Sequence, residues 1–63
     1  MSNEHWLTTD EAMTATGLSK SSLYSRARRG QLPRPRRAPW NRRYTEWDAE
    51  AIRALARRLE RMR

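Results

Sequence analysis

Between Leu18 and Gly30 the chain reads Leu-Ser-Lys-Ser-Ser-Leu-Tyr-Ser-Arg-Ala-Arg-Arg-Gly, hydroxyls and cations set at helical spacing. Gly17 permits a left-handed turn, and Ser19 can cap the helix that follows. Lys20, Ser21 and Ser22 then fall in the first turn, where short polar side chains and backbone N–H groups can face a phosphate. Leu23 and Ala27, four apart, mark an inner face, while Ser22, Ser25, Arg26 and Arg29 point elsewhere. Gly30 is placed to stop the helix. A short capped helix with one apolar seam and a serine/arginine outer face suits the floor of a DNA major groove. A second polar cluster follows, with Arg34, Arg36, Arg37, Arg42 and Arg43 around Trp40 and Asn41.

Other chemistries find little support. His5 is the lone histidine and there is no cysteine, so a metal site lacks a donor set and a disulfide is impossible. The serines have no general base in reach, and no glycine-rich phosphate loop is present. The expectation is a non-enzyme without cofactor or metal.

The charge distribution points the same way. Residues 1–19 carry Glu4, Asp10 and Glu11 and no cation. Residues 20–43 carry Lys20 and eight arginines with no acid, and residues 44–63 hold five arginines against four acids. A block of one sign inside a mixed chain marks a polyanion partner. Arginine's planar fork suits phosphates and guanine edges, although a GC-rich genome would also raise arginine. A chain of 63 residues makes one small domain with little stability to spare. No apolar run reaches membrane-spanning length, and Met-Ser-Asn-Glu-His lacks a signal peptide's layout. The expected location is cytoplasmic, on the nucleoid of a bacterial host.

These residues need elements to hold them. Thr8 and Glu11 have capping-box spacing, Asp10 suits the positive end of a helix dipole, and Leu7 can staple against Ala12. That predicts a helix through Ala12–Thr16, held by Ala12, Met13 and Ala15, with Trp6 covering one end of the core. A short turn at Gly17 joins it to the second helix as a helix-turn-helix pair. Three prolines at 33, 35 and 39 exclude helix and predict strands near 35–38 and 42–45 around a turn at 39–41. The hairpin reads as too polar to be a core element. Thr45 is the expected cap of a last helix, with Glu46 and Asp48 in its first turn and Tyr44 as a staple. Its stripe is Ile52, Leu55, Leu59 and Met62, widened by Trp47, Ala51 and Ala54. Leu59 and Met62 lie beyond what the core needs, and either fray or form a small self-association surface.

The segments at 7–12, 16–24 and 29–33, with Arg42-Arg43-Tyr44 before an acidic helix start, resemble the winged helix-turn-helix of the MerR superfamily. The closest branch is its small AlpA-like and excisionase-like DNA-binding proteins. The resemblance spans roughly residues 7–55 and is strongest over 17–33. It implies a mainly α fold with a small β-hairpin, forming a single winged helix-turn-helix domain over 1–63 with its core at about 7–58. It also implies that the recognition helix (19–29) enters a major groove while the arginine-rich wing (34–43) lies on backbone or minor groove. Lys20, Ser21, Ser22 and Ser25 become helix contacts, and Arg36, Arg37, Arg42 and Arg43 wing contacts. Arg26, Arg29, Arg34, Trp40 and Asn41 complete the candidate set. At the hairpin tip Trp40 either inserts at a minor groove or packs back on the domain.

The expected function is sequence-specific binding of double-stranded DNA by a phage or mobile-element protein. Its role would be excisionase (recombination directionality factor) or small transcriptional regulator. The chain carries no effector domain and no long dimerisation helix, which favours the excisive role. Cooperative binding or self-association on DNA and an integrase partner follow from that role, and no membrane is involved. The alternatives are a module docking an acidic protein (an anti-repressor or packaging subunit) and an RNA binder.

Overall fold

In chain order the elements are β1 (Trp6–Thr8), α1 (Thr9–Thr16), α2 (Lys20–Arg28), β2 (Arg36–Ala38), β3 (Asn41–Asp48) and α3 (Ala49–Arg61). They come from a computed structural model that describes residues 5–62. The start of α1 follows its local signals. The Thr8 hydroxyl oxygen accepts from the Glu11 N–H at 3.2 Å, and Glu11 Oε1 accepts from the Thr8 N–H at 2.9 Å. This reciprocal cap satisfies two otherwise orphaned donors. Gly17, at φ 72°, ends α1 and donates its N–H to the Met13 carbonyl at 2.8 Å. Buried Thr16 donates to the Ala12 carbonyl and accepts from the Leu18 N–H, tying the turn to the helix before it. The Ser19 hydroxyl oxygen then accepts from the Ser22 N–H at 3.2 Å and starts α2.

The three strands form one antiparallel sheet in the order β1-β3-β2. The hairpin is present, but its bounds differ from the expected 35–38 and 42–45. Its turn is Pro39-Trp40, and β3 starts at Asn41 and runs on to Asp48. Asp48, not Thr45, therefore caps α3, its Oδ1 accepting from the Ala51 N–H at 3.0 Å. Glu46 and Trp47 lie in the strand instead of the helix, and Tyr44 stacks on Trp40 instead of stapling α3.

The cause of this extension is β1, a strand with no counterpart in the expected hairpin. Trp6, Leu7 and Thr8 pair with Asp48, Trp47 and Glu46, and the Ala49 N–H donates to the His5 carbonyl at 2.9 Å. Pairing with β1 holds residues 46–48 extended, so the helix cannot begin until that ladder ends. The result is a mixed α/β architecture of three helices and a three-stranded sheet, richer in strand than a mainly α chain with a hairpin.

Trp47, Leu23 and Ile52 are the largest fully buried side chains, with Leu7, Ala12, Ala27, Leu32, Ala49 and Leu55 completing the core. Burial of each large apolar side chain is worth roughly 1.5–3 kcal/mol. Trp47 joins sheet to helices. Its ring meets Tyr24 edge-on at 5.1 Å, and its Nε1–H donates to the Thr9 hydroxyl at 3.0 Å. The hairpin thus reaches the core through Trp47, and Ala38 is buried as well, against the expectation of a hairpin too polar to be a core element. Met13 and Leu59 pack on the core, whereas Ala15 and Met62 are exposed. Trp6 lies half-buried on β1, under the Arg36 guanidinium.

Candidate nucleic-acid interface

The inner seam of α2 fixes its outer face. With Leu23 and Ala27 buried, Ser21, Ser22, Ser25, Arg26 and Arg29 line one open groove that Gln31 closes. Gly30, at φ 80°, turns the chain so that the Gln31 N–H reaches the Arg26 carbonyl at 2.9 Å. Arg26 Nη1–H in turn donates to Gln31 Oε1 at 3.1 Å, so this guanidinium lies along the end of the groove. The Ser22 hydroxyl oxygen accepts from Ser19 Oγ–H at 3.1 Å, which leaves its own proton to offer outward. Nine helical residues span about 13 Å, comparable to the width of a B-DNA major groove.

The hairpin presents its cations by an irregularity. Arg37 pairs with Thr45, but the next β2 residue, Ala38, pairs with Asn41. Arg42, Arg43 and Tyr44 therefore bulge out of the ladder and are all exposed. A bulge frees backbone groups that need partners. Arg37 Nη1–H supplies one by donating to the Arg42 carbonyl at 2.8 Å, and Asn41 Oδ1 supplies another by accepting from the Arg43 N–H at 3.0 Å. Two of the expected contact residues, Arg37 and Asn41, thus hold the segment that displays Arg42 and Arg43.

The helix and hairpin clusters meet. Lys20 and Tyr24 of α2, Arg43 and Tyr44 of β3, and Thr9 of α1 line one groove, with Asp10 of α1 as its one acid. On the other flank of α2, Arg28 shares an apolar-floored groove with Arg34, Tyr24 and Pro35. Lys20, Arg28, Arg29, Arg34, Arg42 and Arg43 are exposed, and their side chains form no hydrogen bond or ion pair among the described residues. Arg36 differs from them. Its Nε and Nη2 donate to Glu46 Oε1 at 3.3 and 3.2 Å, and its guanidinium carbon sits 3.6 Å from the Trp6 ring centroid. Among the described residues it is the one cation of the basic block that meets a carboxylate.

Glu46 is the residue that sequence reasoning placed wrongly. It is only 5% exposed, in one cross-strand row with Thr8 and Arg36. Its Oε1 takes Arg36, and its Oε2 accepts from Trp40 Nε1–H at 3.2 Å. Trp40 remains 58% exposed and stacks on Tyr44, with ring centroids 5.1 Å apart and planes at 29°. Trp40 sits in the hairpin turn, outside both strands. Arg28 was the other omission, since Lys20 and Arg28 flank Tyr24 at helical spacing and only the third dimension shows which flank is open.

Among the described residues no three His, Cys, Asp or Glu side chains are grouped to hold a metal ion, and no helix is long and apolar enough to cross a membrane. Comparison with known protein families, curated proteins and solved structures returns no match.

Proposed function

We propose that the chain is a sequence-specific binder of double-stranded DNA with a winged helix-turn-helix architecture. Its role is that of a small excisionase or transcriptional regulator of phage or mobile-element type. The reading rests on one observation above the rest. Six exposed cations, on α2, the segment after it and the β3 bulge, have no side-chain partner among the described residues, and Lys20 and Arg43 share one groove. In this reading Ser21, Ser22 and Ser25 face base edges while the cations take phosphates.

The charge count sets a limit that experiment can check. If all six cations neutralise phosphates, log Kd depends on log salt with a slope of about 5 in magnitude. Specificity is tested by selecting bound duplexes from a random pool, then measuring the winner against a scrambled duplex under excess nonspecific competitor. An enriched motif that keeps its advantage supports the proposal. Binding without any preference removes the sequence-specific reading, and no binding at all removes DNA as the partner and favours an acidic protein.

A further inference from the structure

The aromatic pair on the hairpin is not used by the reading above. Trp40 and Tyr44 are 58% and 48% exposed, large apolar surfaces on an otherwise charged element. An exposed indole commonly keeps its N–H for recognition, but here that donor is already given to Glu46. What Trp40 offers to a ligand is therefore ring surface alone. Glu46 is itself buried and also held by Arg36, so the indole is pinned at its nitrogen and supported by Tyr44. A ring fixed in this way is not a wedge free to enter a base step. It is a ledge to which a flat apolar group must come.

Its surroundings select the group. Arg42 and Arg43 precede Tyr44 in the same bulge, both exposed and without a side-chain partner among the described residues, and Arg43 lines a groove with Tyr44. A flat π-face beside two phosphate-seeking groups matches one nucleotide whose base is out of the stack. We infer that the Trp40–Tyr44 ledge stacks an unpaired nucleobase of a DNA strand, with Arg42 and Arg43 on the adjoining phosphates. This rests on DNA being the partner. It adds a preference for DNA that is locally unpaired beside the hairpin. Glu46 acts as a positioning residue for the ledge and does not touch the DNA.

The test compares a duplex with the same duplex carrying one extra, unpaired 2-aminopurine. Stacking on an aromatic side chain is expected to favour the bulged duplex by roughly five- to a hundredfold and to quench the 2-aminopurine. Trp40→Ala should bring the affinity ratio to about one and abolish the quenching, with thermal melts confirming that the variant folds. Trp40→Phe, which keeps a ring but no N–H, should retain part of the preference. Equal affinity of the native chain for both duplexes overturns the inference while leaving DNA binding intact. An undiminished ratio in Trp40→Ala also overturns it. If neither duplex binds, the DNA reading itself has failed and the ledge has no such ligand.

Discussion

Removing Arg36 should destabilise the protein more than neutralising the carboxylate it pairs with, and removing both should restore part of the loss. The asymmetry comes from burial. The Glu46 side chain is 6% exposed and that of Arg36 is 44% exposed. In Glu46→Gln the guanidinium can turn to water, the methylenes stay packed, and an amide oxygen remains as acceptor. The long N–H···O distances, 3.2 and 3.3 Å, and the exposure of Arg36 keep this loss near the low end, about 1 kcal/mol. In Arg36→Ala a buried carboxylate keeps only the Trp40 N–H among its described donors. A fully buried orphaned charge costs about 3–5 kcal/mol, and partial access to water lowers that here to about 2. Loss of the guanidinium over Trp6 adds about 0.5 kcal/mol. For a domain of this size each kcal/mol moves Tm by roughly 4–8 °C, so Arg36→Ala should lower it by about 10–20 °C. The double variant should recover roughly 1 kcal/mol relative to Arg36→Ala, because Gln carries no charge to strand. Urea and thermal melts followed by circular dichroism, at about 0.15 M salt to screen the basic block, measure all four proteins. A double variant less stable than Arg36→Ala would refute the reasoning, since it would show that the Glu46 charge needs no partner.

Three further outcomes are expected. Arg43→Ala should weaken binding to all DNA sequences and reduce the salt slope by about one, read from titrations at several salt concentrations. Gly30→Ala should cost about 1 kcal/mol in a urea melt although an added Cβ would meet nothing within 4 Å, because φ there is +80°. Thr8→Ala should cost about 1 kcal/mol by the same measurement, through the lost acceptor for the Glu11 N–H.

Features set by neighbours in sequence were the legible ones. Thr8 with Glu11, Ser19 before Lys20, and the glycines at 17 and 30 each act within four residues, and all four take the expected roles. The seam of Leu23 and Ala27, and the stripe of Ile52 and Leu55, followed from helical period alone. What stayed hidden depends on pairing between distant segments. Trp6-Leu7-Thr8 is three residues long and becomes a strand only because residues 46–48 lie beside it. Thr45 and Asp48 are both good caps, and nothing local chooses between them. The choice is made by β1, which keeps residues 46–48 extended. Glu46 was unreadable for the same reason: a lone glutamate is exposed by default, and its donors come from residues six and ten positions away.

The strand β3 shows why a chain so rich in cations can still hold a defined surface. Successive residues of a strand point to opposite faces, so Trp47 can enter the helical core while Glu46 gathers Arg36 and Trp40 on the other side. Three residues earlier the same strand leaves the ladder and exposes Arg42, Arg43 and Tyr44. Core, anchor and display surface therefore lie within eight consecutive residues. An arginine on a free loop would cost backbone entropy as well as rotamer entropy whenever it met a phosphate. Here the bulge backbone is already held by Arg37 and Asn41, and the ring beside it by Glu46. Arg37, Asn41 and Glu46 thus fix the groups displayed around them. The six cations without a side-chain partner among the described residues are the ones whose loss should register in binding before it registers in stability.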